Sequence, residues 1–311
     1  MSIPAELREE LGPALRASLE PHVFTVRNEP IFDVAYLDPE DPAWSDLRLM
    51  RGILLVGGAT DPQVSEALAQ ADDLGAIDPP AVLQIADVWA KRQIVTVALL
   101  PPDAERNEII ALLSEVGNVY LRQFQEQMEV SAAILGSGWI DHASRRDLGF
   151  RLFLPAQFGY ETPDAGVHIF QQADETPASP VIRTITIAFR PIGEVDWSAE
   201  GAVEWRSELG RRHGRPPQVT EAHPPAFHGV RASGRVIGVR GVWSNPEGER
   251  PAAGPFVAQM MECSDGLYLS DARLYAPATY KYDLMHQLDQ MLSTFRCPAS
   301  VGEESIEGSS R

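Results

Sequence analysis

Apolar positions recur at helical spacing in five stretches of the chain. In residues 4–19, Leu7, Leu11, Leu15 and Leu19 fall four apart. Gly12-Pro13 interrupts that pattern, and Pro13 is better placed as the first residue of a second helix than inside one long one. Pro62 opens a shorter helix with Val64, Ala67, Leu68 and Ala71 on one side. Residues 103–135 carry a stripe of Ile109, Leu112, Val116, Tyr120, Phe124 and Met128. Unbroken, such a helix would run ~45 Å at about 1.5 Å per residue. Residues 199–212, with Val203 and Leu209, and residues 280–296, with Leu284, Leu288, Met291, Leu292 and Phe295, complete the set.

Strand patterns lie between them. Residues 53–56 are a continuous apolar run, the mark of a central strand buried on both faces. Residues 22–37 alternate and break at Glu29-Pro30, and residues 83–89 lead into a β-branched run at 94–100. Short strands follow at 150–155, 166–172, 181–190 and 267–275. Residues 234–257 read as two strands around turn chemistry. In that segment Gly238 and Gly241 mark a bulge or a close approach by another group. The character changes at Gly136-Ser137-Gly138 and the charged 141–147, which read as a linker. The expected layout is an α+β chain of two domains, each a mainly antiparallel or mixed sheet packed against helices. The N-terminal domain spans 1–138, the linker 139–149 and the antiparallel C-terminal domain 150–297. The Gly-, Ser- and Glu-rich tail at 298–311 reads as disordered.

Composition narrows the function classes. The 311 residues are 44% apolar, enough for a packed core, and carry a net charge of −18. So acidic a surface disfavours nucleic acid, whose phosphates need basic partners, and anionic lipid. No apolar run reaches the ~18 residues of a membrane helix, and the N-terminus shows no basic-then-apolar export signal. Cys263 and Cys297 form no CxxC pair. Two idle thiols is the simpler reading, and a disulfide is the alternative if the last helix returns beside the strand of Cys263.

Reactive chemistry is sparse. Gly57-Gly58 precedes a helix, but neither GxGxxG nor GxxxxGK[ST] is present. His213, His223 and His228 fall near Glu221 without metal-ligand spacing and read as loop histidines, so no metal or cofactor is implied. Ser137 lacks the GxSxG context of a nucleophile elbow. Arg240 and Trp243 stand three apart, on opposite faces of a regular strand unless a bulge at Gly241 unites them.

Several of these motifs occur together in one known family. VRGVW (residues 239–243), GPF (254–256) and YAP (275–277), followed by Lys281, Asp283 and Leu284, resemble the bacterial family called domain of unknown function 4837. NEPIF (28–32), Arg51 before ILLV, and the Asp87, Trp89, Gln93 spacing match its N-terminal half. The resemblance runs from about Leu11 to Arg296. It implies an envelope lipoprotein with a soluble α+β body, and carries no activity, cofactor or catalytic residue. Family members have an apolar strand and export signal ahead of the first helix. Their absence here points to a start placed too late, or to a lost anchor and a cytoplasmic protein. The FxLxLPxxF pattern of residues 150–158 and the closing LSTFR are also similar to the PsbP/Mog1-like sandwich, at the level of fold alone.

These readings favour a non-enzymatic envelope protein that binds an unknown protein or small-molecule partner between its domains. The candidate binding residues are Arg240, Trp243, Phe256, Asp87, Trp89 and Gln93. A hydrolase using unmarked acid–base residues, such as Glu29, Asp87 or His228, is the first alternative. A cytosolic structural subunit is the second.

Overall fold

The structure, a computed structural model, describes residues 1–3, 5–31, 33–71, 77–136, 138–174, 180–214, 217–231, 234–248 and 251–298. The tail at 299–311 lies outside them. Two compact units are present, Met1–His22 with Pro30–Gln127, and Val23–Glu29 with the residues from Met128 onward.

The chain opens with α1 (Ala5–Leu19) and a hairpin of β1 (His22–Phe24) and β2 (Asn28–Pro30). α2 (Trp44–Leu47), β3 (Gly52–Gly57), α3 (Pro62–Leu68), β4 (Ala81–Ala86), β5 (Ile94–Leu99) and the long α4 (Arg106–Gly136) follow. The first unit holds a three-stranded mixed sheet in the order β3-β5-β4, with β3 parallel and β4 antiparallel to β5. Ile53 and Leu55 of β3 pack towards Val64 and Ala67 of α3, while Leu54 and Val56 pack towards α1 and α4. The run at 53–56 is therefore buried on both faces, but β5 is the middle strand. The outer edge of β3 is covered locally by Ser2, whose N–H donates to Leu54 O at 2.8 Å and whose carbonyl accepts from Val56 N at 3.0 Å.

α1 corrects the expected break at Gly12-Pro13. Pro13 sits inside one helix. The seam of Leu11, Leu15 and Leu19, each at most 2% exposed, continues across it, so burial of that seam outweighs the backbone hydrogen bond that proline cannot donate. The side chain of Leu7 lies outside the described residues, as does that of Met128 in α4. Ile109, Leu112 and Val116 of α4 are buried as expected.

The second unit continues with β6 (Ile140–Asp141), a 3₁₀ turn at Ser144–Arg146, β7 (Phe153–Leu154), β8 (Gly159–Asp164), β9 (Val167–Asp174) and β10 (Val181–Arg190). Then come α5 (Ala199–His213), β11 (Val219–Arg231), β12 (Gly234–Ser244), β13 (Ala253–Cys263), β14 (Gly266–Tyr275) and α6 (Tyr282–Ser293). Seven antiparallel strands form one sheet in the order β11-β12-β13-β14-β10-β9-β8. Strand alternation divides its side chains between two cores. On one face Ile237, Val239, Met260 and Leu269 meet Ala202, Trp205 and Leu209 of α5. On the other, Val236, Val257, Met261 and Leu274 meet Leu288, Met291 and Leu292 of α6. Phe150, Leu152, Leu154 and Phe158, the apolar letters of FxLxLPxxF, all enter the α6-side core. Full burial stabilises each such side chain by roughly 1.5–3 kcal/mol.

Three expectations change in this unit. The stretch at 139–149 is not a linker: Ile140 pairs with Leu154 and Ala143 is fully buried. β11 is a thirteen-residue edge strand where turns and loop histidines were expected. Its prolines masked the pattern, and its register slips between His223 and Phe227, where the sequence reads Pro224-Pro225. Proline brings no N–H to a ladder, so an irregular edge strand accommodates it. Finally, Cys263 and Cys297 are not idle thiols but form a disulfide, with Cα atoms 5.6 Å apart, that joins the end of β13 to the segment after α6.

Candidate functional site

The α6 face of the seven-stranded sheet carries a cavity of about 170 Å³ near its β11 edge. Its floor is a cross-strand row: His223 of β11 pairs with Arg240 of β12, which pairs with Val257 of β13. One wall is α6, where Tyr282, Met285, His286 and Asp289 recur at helical spacing. The other wall is Val23, Phe24 and Thr25 from the hairpin. All of these residues belong to the second unit.

Two glycines shape the floor. A Cβ on Gly238 would lie 1.8 Å from Phe227 Cζ, so only glycine lets that ring lie flat across β12. A Cβ on Gly241 would lie 2.0 Å from the carbonyl oxygen of Glu221. Both are the close approaches that glycine in this strand suggested. Arg240 then lies over the Phe227 ring, 5.1 Å from its centroid, with 63% of its side chain exposed. Its nearest acid is Asp289, at 3.8 Å. Asp289 Oδ1 accepts a hydrogen bond from Gln259 Nε2 at 2.8 Å. His223 packs edge-to-face on Phe24 at 4.8 Å, and its Nε2 is buried with no hydrogen-bond partner among the described residues.

The hairpin wall is pinned by charge. Glu29, fully buried, accepts hydrogen bonds from Lys281 N at 2.9 Å and Lys281 Nζ at 2.8 Å, just before α6 begins. Burial alone would raise the Glu29 pKa. The Lys281 hydrogen bonds and charge overcome that and hold the carboxyl below its ordinary value.

The other candidate residues fall elsewhere. Trp243 lies on the α5 face, its indole N–H donating to Leu274 O at 3.2 Å, so it and Arg240 face opposite sides of a regular strand. Phe256 also packs towards α5, beneath the Arg206 guanidinium at 4.4 Å, and borders the cavity beside Gly241. In the first unit, Asp87, Trp89 and Gln93 build a turn. Asp87 accepts from the Arg92 N–H, and Gln93 Oε1 accepts from Trp89 N at 2.9 Å. Gln93 Nε2 donates to the carbonyls of Arg48 and Met50. The Trp89 indole donates to Glu66 at 2.9 Å. At Gly58, Asp61 Oδ2 accepts the backbone N–H at 2.8 Å and fills the place an anion would take. His228, named with Glu29 and Asp87 as a candidate acid–base residue, is exposed on β11, as Asp87 is on its turn.

The cavity residues that sequence reasoning missed include Phe24, His286, Asp289, Met285 and Tyr282, with His223 misplaced in a loop. The α6 spacing could have grouped four of them. Nothing in the sequence showed that the hairpin would stand opposite. Among the described residues there is no group of three or more His, Cys, Asp or Glu able to hold a metal, and no helix long and apolar enough to cross a membrane.

The strands and helix that build this cavity are also the part of the chain that a known family model matches. Residues 208–294 match the domain of unknown function DUF4837. The matched segment contains β11, β12, β13, β14 and α6, and with them every cavity residue except those of the hairpin. No curated protein matches the chain.

Proposed function

We propose that this is a non-catalytic envelope protein whose second unit binds a small ligand in the cavity between the sheet and α6. The cavity carries the reading. It is walled by Phe24, Val257 and Met285 with a few convergent polar groups, as small-molecule sites commonly are. Its volume is of the order of the ~150 Å³ cavities that accept one aromatic ring. Its carboxylate, Asp289, engages the Gln259 amide and faces Arg240, an arrangement for holding charge in place rather than moving a proton. The envelope assignment is supported by the disulfide, because such bonds persist in oxidising compartments, and by the lipoprotein form of the family it resembles.

Titration with indole, a neutral aromatic probe, tests the cavity. Binding should shift the NMR signal of the Met285 methyl group and raise the melting temperature, and Val257→Phe, which fills the floor, should abolish both effects. Indole that leaves the Met285 signal unmoved at millimolar concentration would refute the reading. Fractionation of the producing cell tests the compartment, where recovery solely as a reduced cytosolic protein would overturn the assignment.

A further inference from the structure

The cavity's polar groups are unevenly distributed. Arg240 has one neighbour on α6 and one on the sheet. On α6 is Asp289, already hydrogen-bonded by Gln259 at 2.8 Å and 3.8 Å from the guanidinium, beyond hydrogen-bond length. On the β11 side is His223, the cross-strand partner of Arg240, whose buried Nε2 has no partner among the described residues. The Arg240 guanidinium makes no hydrogen bond among the described residues, and its contacts are the Phe227 face and a loose ion pair with Asp289. The guanidinium donors of Arg240 and a ring nitrogen of His223 therefore sit side by side on one cross-strand row with unused hydrogen-bonding capacity. Beyond them lie the apolar Phe24, Val257 and Met285.

Resting on the cavity reading above, we propose that the ligand is a small carboxylate with an apolar or aromatic body. The carboxylate lies between Arg240 and His223, and the body fills the space against Phe24, Val257 and Met285. Guanidinium presents a planar fork that matches a carboxylate, and a charge-assisted bond is about twice as strong as a neutral one. A neutral ligand would leave the buried His223 nitrogen and the Arg240 fork poorly used. A dianion would bring its second charge towards Asp289. The volume limits the body to about one ring.

Isothermal titration with phenylacetate and its neutral isostere phenylacetamide tests this. The wild-type chain should bind phenylacetate at least about tenfold more tightly, a difference near 1.4 kcal/mol. Raised salt should weaken phenylacetate binding at the exposed Arg240 while leaving phenylacetamide unchanged. Arg240→Met, at a side chain 63% exposed, should bring the two affinities within about twofold while preserving phenylacetamide binding. His223→Phe, which keeps the ring contact with Phe24, should lose part of the preference. Equal affinities in the wild type, or a preference that survives Arg240→Met, would overturn the carboxylate assignment and leave the cavity reading standing. If neither compound binds and indole also fails, the cavity reading falls with it.

Discussion

The pair Glu29–Lys281 gives the sharpest test of how the cavity is built. The two residues are 252 positions apart, and the side chains are 0% and 7% exposed. Glu29→Gln keeps the shape and an acceptor for Lys281 N, but leaves a buried ammonium without its counter-charge. Removing one member of a buried pair costs about 3–5 kcal/mol. Replacing both, in Glu29→Gln/Lys281→Met, removes the unpaired charge, so the double variant should be more stable than Glu29→Gln by about 1–3 kcal/mol. The pH dependence has a defined sign. The Glu29 pKa is lowered in the folded protein from its ordinary 4.5. Its contribution is thus fully present above that value and lost as the pH falls through the lower folded pKa. Urea unfolding followed by tryptophan fluorescence, repeated at several pH values, measures both effects, and hydrogen exchange at Phe24 and Thr25 reports the hairpin itself. A Glu29→Gln cost below about 1 kcal/mol, or a double variant as unstable as the sum of the singles, would refute the reasoning.

Three other outcomes follow from the same geometry. Replacing Cys263 and Cys297 with alanine opens a loop spanning 34 residues, and the chain-entropy model gives a loss of about 3–4 kcal/mol; a melting temperature that the replacement leaves unchanged would count against a stabilising bond. Gly238→Ala drives a methyl group into the Phe227 ring and should cost about 1–3 kcal/mol, with Phe227→Leu in the same chain relieving part of it, as thermal unfolding can show. Arg206→Met removes the donor 3.4 Å from the buried Asp271 but leaves the Arg273 charge beside that carboxylate, so it should destabilise by about 1–3 kcal/mol, whereas Asp271→Asn, which deprives both guanidinium groups of their counter-charge, should cost more in urea titration.

Much of the fold was legible because apolar spacing survives in a sequence. The Leu11, Leu15, Leu19 seam, the run at 53–56 and the α6 stripe each mark a face that is buried in the structure. The glycines at 238 and 241 signalled close approaches correctly, although only the structure shows that Phe227 and Glu221 make them. β11 was hidden because proline is a turn signal in a sequence and is also tolerated at an irregular sheet edge. At 139–149, the charge of DHASRRD suggested solvent, yet Asp141 accepts hydrogen bonds from Ser144 and Leu152 and pairs with Arg151 at 2.9 Å, satisfying that segment from within. Of the site, Arg240 and Phe256 were reachable from the motif. The hairpin was not, because its position depends on Glu29 meeting Lys281, and no local pattern encodes a contact across 252 residues.

α6 is a beam clamped at both ends. Glu29 grips the residue before its first turn, and a covalent bridge from Cys263 reaches the residue four positions past its last. Such a helix has no free end about which to swing, so the route to the cavity does not run through it. The open wall is Phe24, a residue 52% exposed on a three-residue strand. Rotation of a surface ring takes picoseconds to nanoseconds, not the microseconds to milliseconds of a helix shift. Occupancy of this chamber should accordingly follow diffusion without a slow opening step.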